Sequence, residues 1–195
     1  MNYELFQRIH GLSGHNRILD DVMIFFTNDA LFVYAIALLA IWMIGNTTYK
    51  KSVLYAGGTG ILALLGNYLI TLVYYEPRPF VTHHVHLLVP HAADASFPSD
   101  HATGAFAISI AMWIRHRRLG APMIIFAFLT GLSRVWVGHH YPFDVVGSMI
   151  VSVIVAAVVS KCSGFFEPIV NRVISVYQFI LEKVKKRLSG HTLHS

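Results

Sequence analysis

Apolar positions run through this chain in blocks too long and too unbroken for a water-soluble fold. Residues 31–44 (LFVYAIALLAIWMI) and 52–75 carry no charge, and 143–160 carry one, Asp144. About 20 consecutive apolar residues cross a bilayer as a helix. The pattern predicts five spans, at 21–45, 52–75, 100–114, 120–137 and 143–161. The third block is short, and its helix is expected to continue through Arg118. That gives about 28 Å at ~1.5 Å per residue. Residues 165–188 differ: Phe166, Ile169, Val170, Val173, Ile174, Tyr177, Ile180, Leu181, Val184 and Leu188 recur every three or four positions among Glu167, Arg172, Glu182 and Lys185. This predicts an amphipathic helix on a membrane surface. A sixth span is the competing reading, opposed by Pro168, Asn171 and Arg172. Tyr3, Phe6 and Ile9 mark a short interfacial helix at the start. The expected fold is an all-α integral membrane protein. It is one domain over 1–195, a helical bundle of about five transmembrane helices with amphipathic terminal helices.

Composition agrees: 55% of residues are hydrophobic and 13% charged. The N-terminus has an acid at Glu4 and no basic start before an apolar core, which argues against a cleaved signal peptide. The net charge of +5 is less informative than its placement. Lys50–Lys51, Arg115 with Arg117–Arg118, and Lys183, Lys185, Lys186 and Arg187 fall in alternate loops and at the end. They read as cytoplasmic anchors rather than a nucleic-acid surface. Cys162 is alone and offers no internal disulfide.

Once the spans are set aside, three polar clusters remain: EPRPF (76–80), FPSDHATG (97–104) and SRVWVGHHYPFD (133–144). All three fall at outer ends of spans, so one site is expected. Arg78 and Arg134 carry permanent charge on forked donors suited to phosphate oxygens; a headgroup anchor and a snorkelling arginine are the plainer alternatives. Ser99 stands where a helix N-cap is expected, and free N–H groups behind it favour an anion. His101 then falls in the first turn, where it can donate a proton. His140 and Asp144 are four apart, so the carboxylate can fix the imidazole tautomer and leave its other nitrogen as nucleophile or base. His139 reads as structural or rim. His101, His140 and Asp144 leave a two-His, one-carboxylate metal site open, although two arginines would repel a dication. His83, His84, His86 and His91 read as a solvated loop.

These residues resemble the type 2 phosphatidic acid phosphatase superfamily, whose motifs are Lys-x6-Arg-Pro, Pro-Ser-Gly-His and Ser-Arg-x5-His-x3-Asp. Arg78-Pro79 is similar to the end of the first. Pro98-Ser99-Asp100-His101 is similar to the second, and Ser133-Arg134, His140 and Asp144 match the third in full. The resemblance covers about 52–160. Two positions depart: Thr71 stands where the first motif has lysine, and Asp100 where the second has glycine. Aspartate there resembles the bacitracin-resistance branch, the bacterial undecaprenyl pyrophosphate phosphatases. The resemblance implies a phosphatase acting on a lipid diphosphate from within the bilayer, with neither metal nor other cofactor. His140 would be the nucleophile, Asp144 its partner and His101 the acid. Arg78, Ser99, Asp100 and Arg134 would bind substrate. The site would face outward from a multi-pass bacterial plasma-membrane protein that recycles the cell-wall carrier. A phosphatase for phosphatidic acid or phosphatidylglycerol phosphate, and a lipid-phosphate carrier, are the alternatives.

Overall fold

In a computed structural model that describes residues 1–191, with side chains through 186, the chain is helical, and no strand occurs among the described residues. The side chains of Arg187 and Leu188 lie outside the described residues. Eight helices follow in order: α1 Asn2–His10, α2 Arg17–Ile44, α3 Thr47–Thr71, α4 Pro79–Thr82, α5 Asp100–Arg115, α6 Arg117–Trp136, α7 Pro142–Lys161 and α8 Ser163–His191. The start signals are local. Asn16 Oδ1 accepts from the N–H groups of Ile18 and Leu19, and Asn46 Oδ1 from those of Thr48 and Tyr49, each satisfying two orphan donors.

Helices α3, α6 and α7 are each long and apolar enough to cross a membrane. Helix α2 qualifies only as a bent pair, Arg17–Asn28 and Ala30–Ile44, set at 60°. The bend follows Thr27, whose carbonyl accepts from Arg134 Nη1 at 3.4 Å and whose hydroxyl donates to Ser133 at 3.0 Å. A partner inserted into the helical ladder is an established cause of such bends. Helix α5 is the central element and the shortest of the set at 16 residues, about 24 Å long. Its expected continuation through Arg118 does not occur. The helix ends at Arg115, His116 leaves helical geometry, and α6 begins at Arg117. A break at His116 turns the chain back, so that α5 and α6 form an antiparallel pair.

Small residues let neighbours approach α5 closely. Ala102, Thr103, Gly104, Ala105, Ala107 and Ser109 are buried along it. Within a bilayer, association depends on such close packing and on interhelical hydrogen bonds, since lipid is as apolar as a leucine side chain. Ser148 and Ser152 of α7 donate to the carbonyls of Ser99 and Thr103, both at 3.0 Å. These bonds set the register between α5 and α7. Gly147 makes room for Phe97: a Cβ there would lie 2.2 Å from the ring.

The two ends of the bundle differ in charge. At the end bearing Lys50, Lys51 and Arg115, Lys51 pairs with Glu167 at 2.6 Å and the Arg115 guanidinium lies 3.5 Å over the Tyr55 ring. Tyr55 also donates to Glu167 and to the Ser163 carbonyl. The expected amphipathic helix is present as α8. It is fastened at this end, with Val170 and Ile174 buried and Tyr177 against Trp42. At the opposite end α1 packs over the α6–α7 turn. Phe6 is buried against Val135 and Tyr141, and His10 Nδ1 donates to the Trp136 carbonyl at 2.8 Å.

Candidate active site

All three polar clusters meet at the α1 end, around a cavity of about 540 Å³. Its wall includes Arg78, Asp100, His101, Arg134 and His140 on the polar side and Leu31, Leu64 and Tyr68 on the apolar side. Arg78 precedes α4, Asp100 and His101 open α5, Arg134 lies in the last turn of α6, and Asp144 lies in the first turn of α7.

His140 is held with one edge committed and the other aimed. Its Nδ1 lies 2.8 Å from the Ser96 carbonyl and 3.3 Å from Asp144 Oδ2. Arg78 Nη1 approaches Nε2 at 2.9 Å. Guanidinium can only donate, so Nε2 is the unprotonated nitrogen and Nδ1 carries the hydrogen. The expected contact with Asp144 is present, and the Ser96 carbonyl adds a second, shorter one on the same nitrogen. The turn that delivers His140 requires Gly138, at φ +92°, a conformation costly for other residues.

Asp144 is fully buried. Its Oδ2 accepts from Ser96 Oγ at 2.5 Å and from the Tyr141 N–H at 2.8 Å. Oδ1 has no protein partner. Arg78, 4% exposed, also donates to the His139 carbonyl at 3.0 Å and to Asp94 Oδ1 at 2.7 Å. Arg134 is 2% exposed, yet its Nε and Nη2 meet no protein acceptor. Buried guanidinium donors without acceptors suit an anion. Ser99 occupies the N-cap position of α5 but makes no capping bond; its hydroxyl is buried and also unpartnered. Arg134 and the first residues of α5 thus line one cavity, and the unpartnered Ser99 hydroxyl stands at the N-cap position of that helix.

Asp100 turns out to be tethered. Asn67, fully buried in α3, donates to Asp100 Oδ1 at 2.9 Å and to Thr103 Oγ1 at 3.0 Å. Thr71 lies one turn further along α3 and lines the same cavity.

Of the four loop histidines expected to be solvated, His84 and His86 are exposed, whereas His83 and His91 are partly buried. His91 lines the cavity, with its ring 4.5 Å from that of His139 and 6.5 Å from that of His140. Ser96 is fully buried. Only a serine three positions before Ser99 was visible in the sequence, and nothing marked it as a partner of His140. His83 is stacked on Tyr3 at 3.7 Å. His139 is buried, not at a rim, and donates from Nε2 to the Val89 carbonyl at 2.8 Å.

Electrostatics keep His139 and His140 neutral. Burial, reinforced by the charge on Arg134, holds His139 down to about 3. Burial also holds His140 well below the usual imidazole range, with Arg134 and Arg78 acting in the same direction. A neutral imidazole is the nucleophilic form. Among the described residues no group of three His, Cys, Asp or Glu side chains is arranged to hold a metal ion.

Buried arginines, an oriented imidazole and a helix N-terminus thus meet at one end of a membrane bundle, an arrangement suited to a phosphate group presented from lipid. Residues 51–167 match the PAP2 superfamily, and the chain belongs to that family. It is 58% identical to undecaprenyl-diphosphatase BcrC of Bacillus subtilis (strain 168), covering 96% of this chain and 97% of that one. It is 28% identical to the bacitracin transport permease protein BcrC of Bacillus licheniformis, over 96% of this chain and 91% of that one. Among solved structures, the crystal structure of Aquifex aeolicus LpxE superposes with a TM-score of 0.63 at 26% identity. That match covers 82% of this chain and 94% of LpxE.

Proposed function

We propose that this protein hydrolyses undecaprenyl diphosphate to undecaprenyl phosphate and inorganic phosphate at the outer face of the bacterial plasma membrane. The observation that carries the reading is His140 Nε2, unprotonated and 2.9 Å from Arg78 Nη1, at a cavity that Arg134 lines with unpartnered donors. The name of the 58% identical relative supports the substrate. The prenyl chain needs only the apolar side of the cavity at Leu31, Leu64 and Tyr68, with the rest of its length in lipid.

The reaction runs in two steps. Arg78 moves from His140 Nε2 onto a phosphoryl oxygen, and Nε2 attacks the terminal phosphorus. The bond from that phosphorus to the bridging oxygen breaks, and His101, protonated once the bound diphosphate offsets the charge of Arg78 and Arg134, gives that proton to the departing lipid monophosphate. Arg78, Arg134, Ser99 and the N–H groups opening α5 hold the charge on the equatorial oxygens. Asp144 stabilises the imidazole as it bonds to phosphorus. Water then gives a proton to His101 and attacks phosphorus. The P–N bond breaks, its electron pair returns to Nε2, and phosphate leaves. The arginines supply the positive charge, so the reaction needs no metal. Asp100, held by Asn67, keeps its carboxylate aside while its backbone N–H serves the anion.

Sidedness is read from charge: Lys50, Lys51, Arg115, Arg117 and Arg118 lie at the end of the spans away from the site, the arrangement of a cytoplasmic face. Overproduction is then expected to raise resistance to bacitracin, which sequesters the diphosphate.

A rapid-quench assay on lipid labelled in its terminal phosphate tests the reading. Wild type is expected to form an acid-labile phosphoenzyme, and His140→Ala to form none and to lose turnover. A phosphoenzyme on His101 would reverse the two roles. Equal or faster turnover of phosphatidic acid would remove the substrate assignment while leaving a lipid phosphatase.

A further inference from the structure

The outer loop brings a third histidine to the cavity, and the mechanism above has no task for it. We infer that His91 is a phosphoryl-binding residue, its imidazole meeting the oxygens of the phosphate group held between Arg78 and Arg134. The inference rests on the phosphoryl-transfer reading of the site.

Four observations carry it. His91 lines the same cavity as Arg78, His101, Arg134 and His140. Its ring lies 6.5 Å from that of the nucleophile, room for a tetrahedral phosphate oxygen between the two. Its Nδ1 lies 3.0 Å from the Ala92 carbonyl and therefore carries a hydrogen, which leaves Nε2 as the uncommitted edge. Finally, the loop is anchored on both sides of His91. Val89 accepts from His139, Asp94 accepts from Arg78, and Ser96 bonds both His140 and Asp144. These attachments tie the backbone on both sides of His91 to the motif side chains.

The charges facing His91 explain how one ring serves the site in two states. Burial first, then Arg78 and Arg134, disfavours its protonation; the Ala92 carbonyl and Asp94, the latter at 3.8 Å, favour it, and His101, His139 and His140 stand nearby. An anion bound between the arginines offsets their charge. Nε2 then takes a proton and donates to a phosphoryl oxygen, adding a cationic donor only while phosphate is present. Thr71, on the same cavity wall, is neutral and bonds the Tyr68 carbonyl at 2.8 Å. The loop histidine thus contributes a charge that the α3 side of the cavity does not.

Orthovanadate binding to the full chain in detergent, followed by calorimetry, tests the inference in wild type, His91→Phe, His91→Gln and His91→Lys. Phe keeps an aromatic ring against His139 without a donor; Gln and Lys keep a donor without the ring. Binding at least tenfold weaker in the Phe variant, but within about threefold of wild type in the Gln or Lys variant, is the expected result. Equal binding in all variants, or an equal loss in all three, would overturn the donor role. A parallel titration with inorganic phosphate reports the free product, and the rate on undecaprenyl diphosphate reports the lipid headgroup. Wild type that binds vanadate yet spares that lipid would remove the substrate reading and leave the His91 assignment intact.

Discussion

Ser96 Oγ donates to Asp144 Oδ2 at 2.5 Å, while the carbonyl of the same serine accepts from His140 Nδ1 at 2.8 Å. One loop residue thereby grips both members of the His–Asp pair, neither of which is near it in sequence. The carbonyl holds the imidazole and the hydroxyl holds the carboxylate, so the two are aligned through Ser96 as much as through their own 3.3 Å contact.

Ser96→Ala removes the hydroxyl and leaves the carbonyl. The expected loss is one charge-assisted hydrogen bond, worth about 1.5–3 kcal/mol, or roughly 10- to 150-fold in kcat. KM is expected to change little, because the serine does not face the cavity. Steady-state kinetics on a lipid diphosphate check this. A wild-type kcat in the alanine variant would show that Tyr141 N–H alone suffices to hold Asp144.

Arg78 and Asp94 form an ion pair at 2.7 Å whose two members should respond very differently. Asp94 is 63% exposed, so Asp94→Asn should lower kcat/KM by less than about tenfold, as expected where solvent screens the charge. Arg78 is buried and spreads three bonds over Asp94, the His139 carbonyl and His140. Arg78→Lys keeps the charge but cannot reproduce the fork, and a fall of more than about 100-fold is expected, in line with loss of a group that holds developing charge. Comparable losses in the two variants would contradict this ranking.

Asn67 is a carboxamide fully buried in a spanning helix, and its three side-chain hydrogen bonds all run to α5. Asn67→Leu leaves Asp100 Oδ1 and Thr103 Oγ1 without their donor. A destabilisation of about 1–3 kcal/mol is expected, with activity reduced further because the Asp100 carboxylate is freed to approach the phosphate. Thermal unfolding in detergent and initial rates are the measurements; Asn67→Gln should recover less than half of either, since its longer arm overshoots a tightly packed site.

His139 predicts an acid-sensitive fold. Its imidazole is held down to about 3 in the folded protein and titrates near 6.5 when unfolded. Between those values the unfolded chain binds the extra proton, so stability falls as pH is lowered from about 6.5 toward 3 and is unaffected by this group above 6.5. The melting temperature across that range should therefore drop, and drop less steeply in His139→Asn. Parallel curves for the two proteins would show that His140 and other groups account for the slope.

Much of this protein follows from the sequence alone. Charge-free runs leave a chain no option but to bury itself in lipid as helices, because backbone groups there must bond within their own segment. Ser133, Arg134, His140 and Asp144 declare their spacing directly, since a short turn between two helices fixes how they meet. Tertiary structure decided the rest. Ser96 acts partly through a backbone carbonyl, which every residue possesses, and His91 reaches the cavity through a loop whose path depends on bonds to His139 and His140 in the α6–α7 turn, more than 40 positions away. Asn67 in a spanning run reads as an isolated polar residue until α5 is placed beside α3. Helix α5 itself ends before Arg118 because the chain must reverse at His116 to pack α6 against it, a requirement of the bundle that local apolar pattern does not encode.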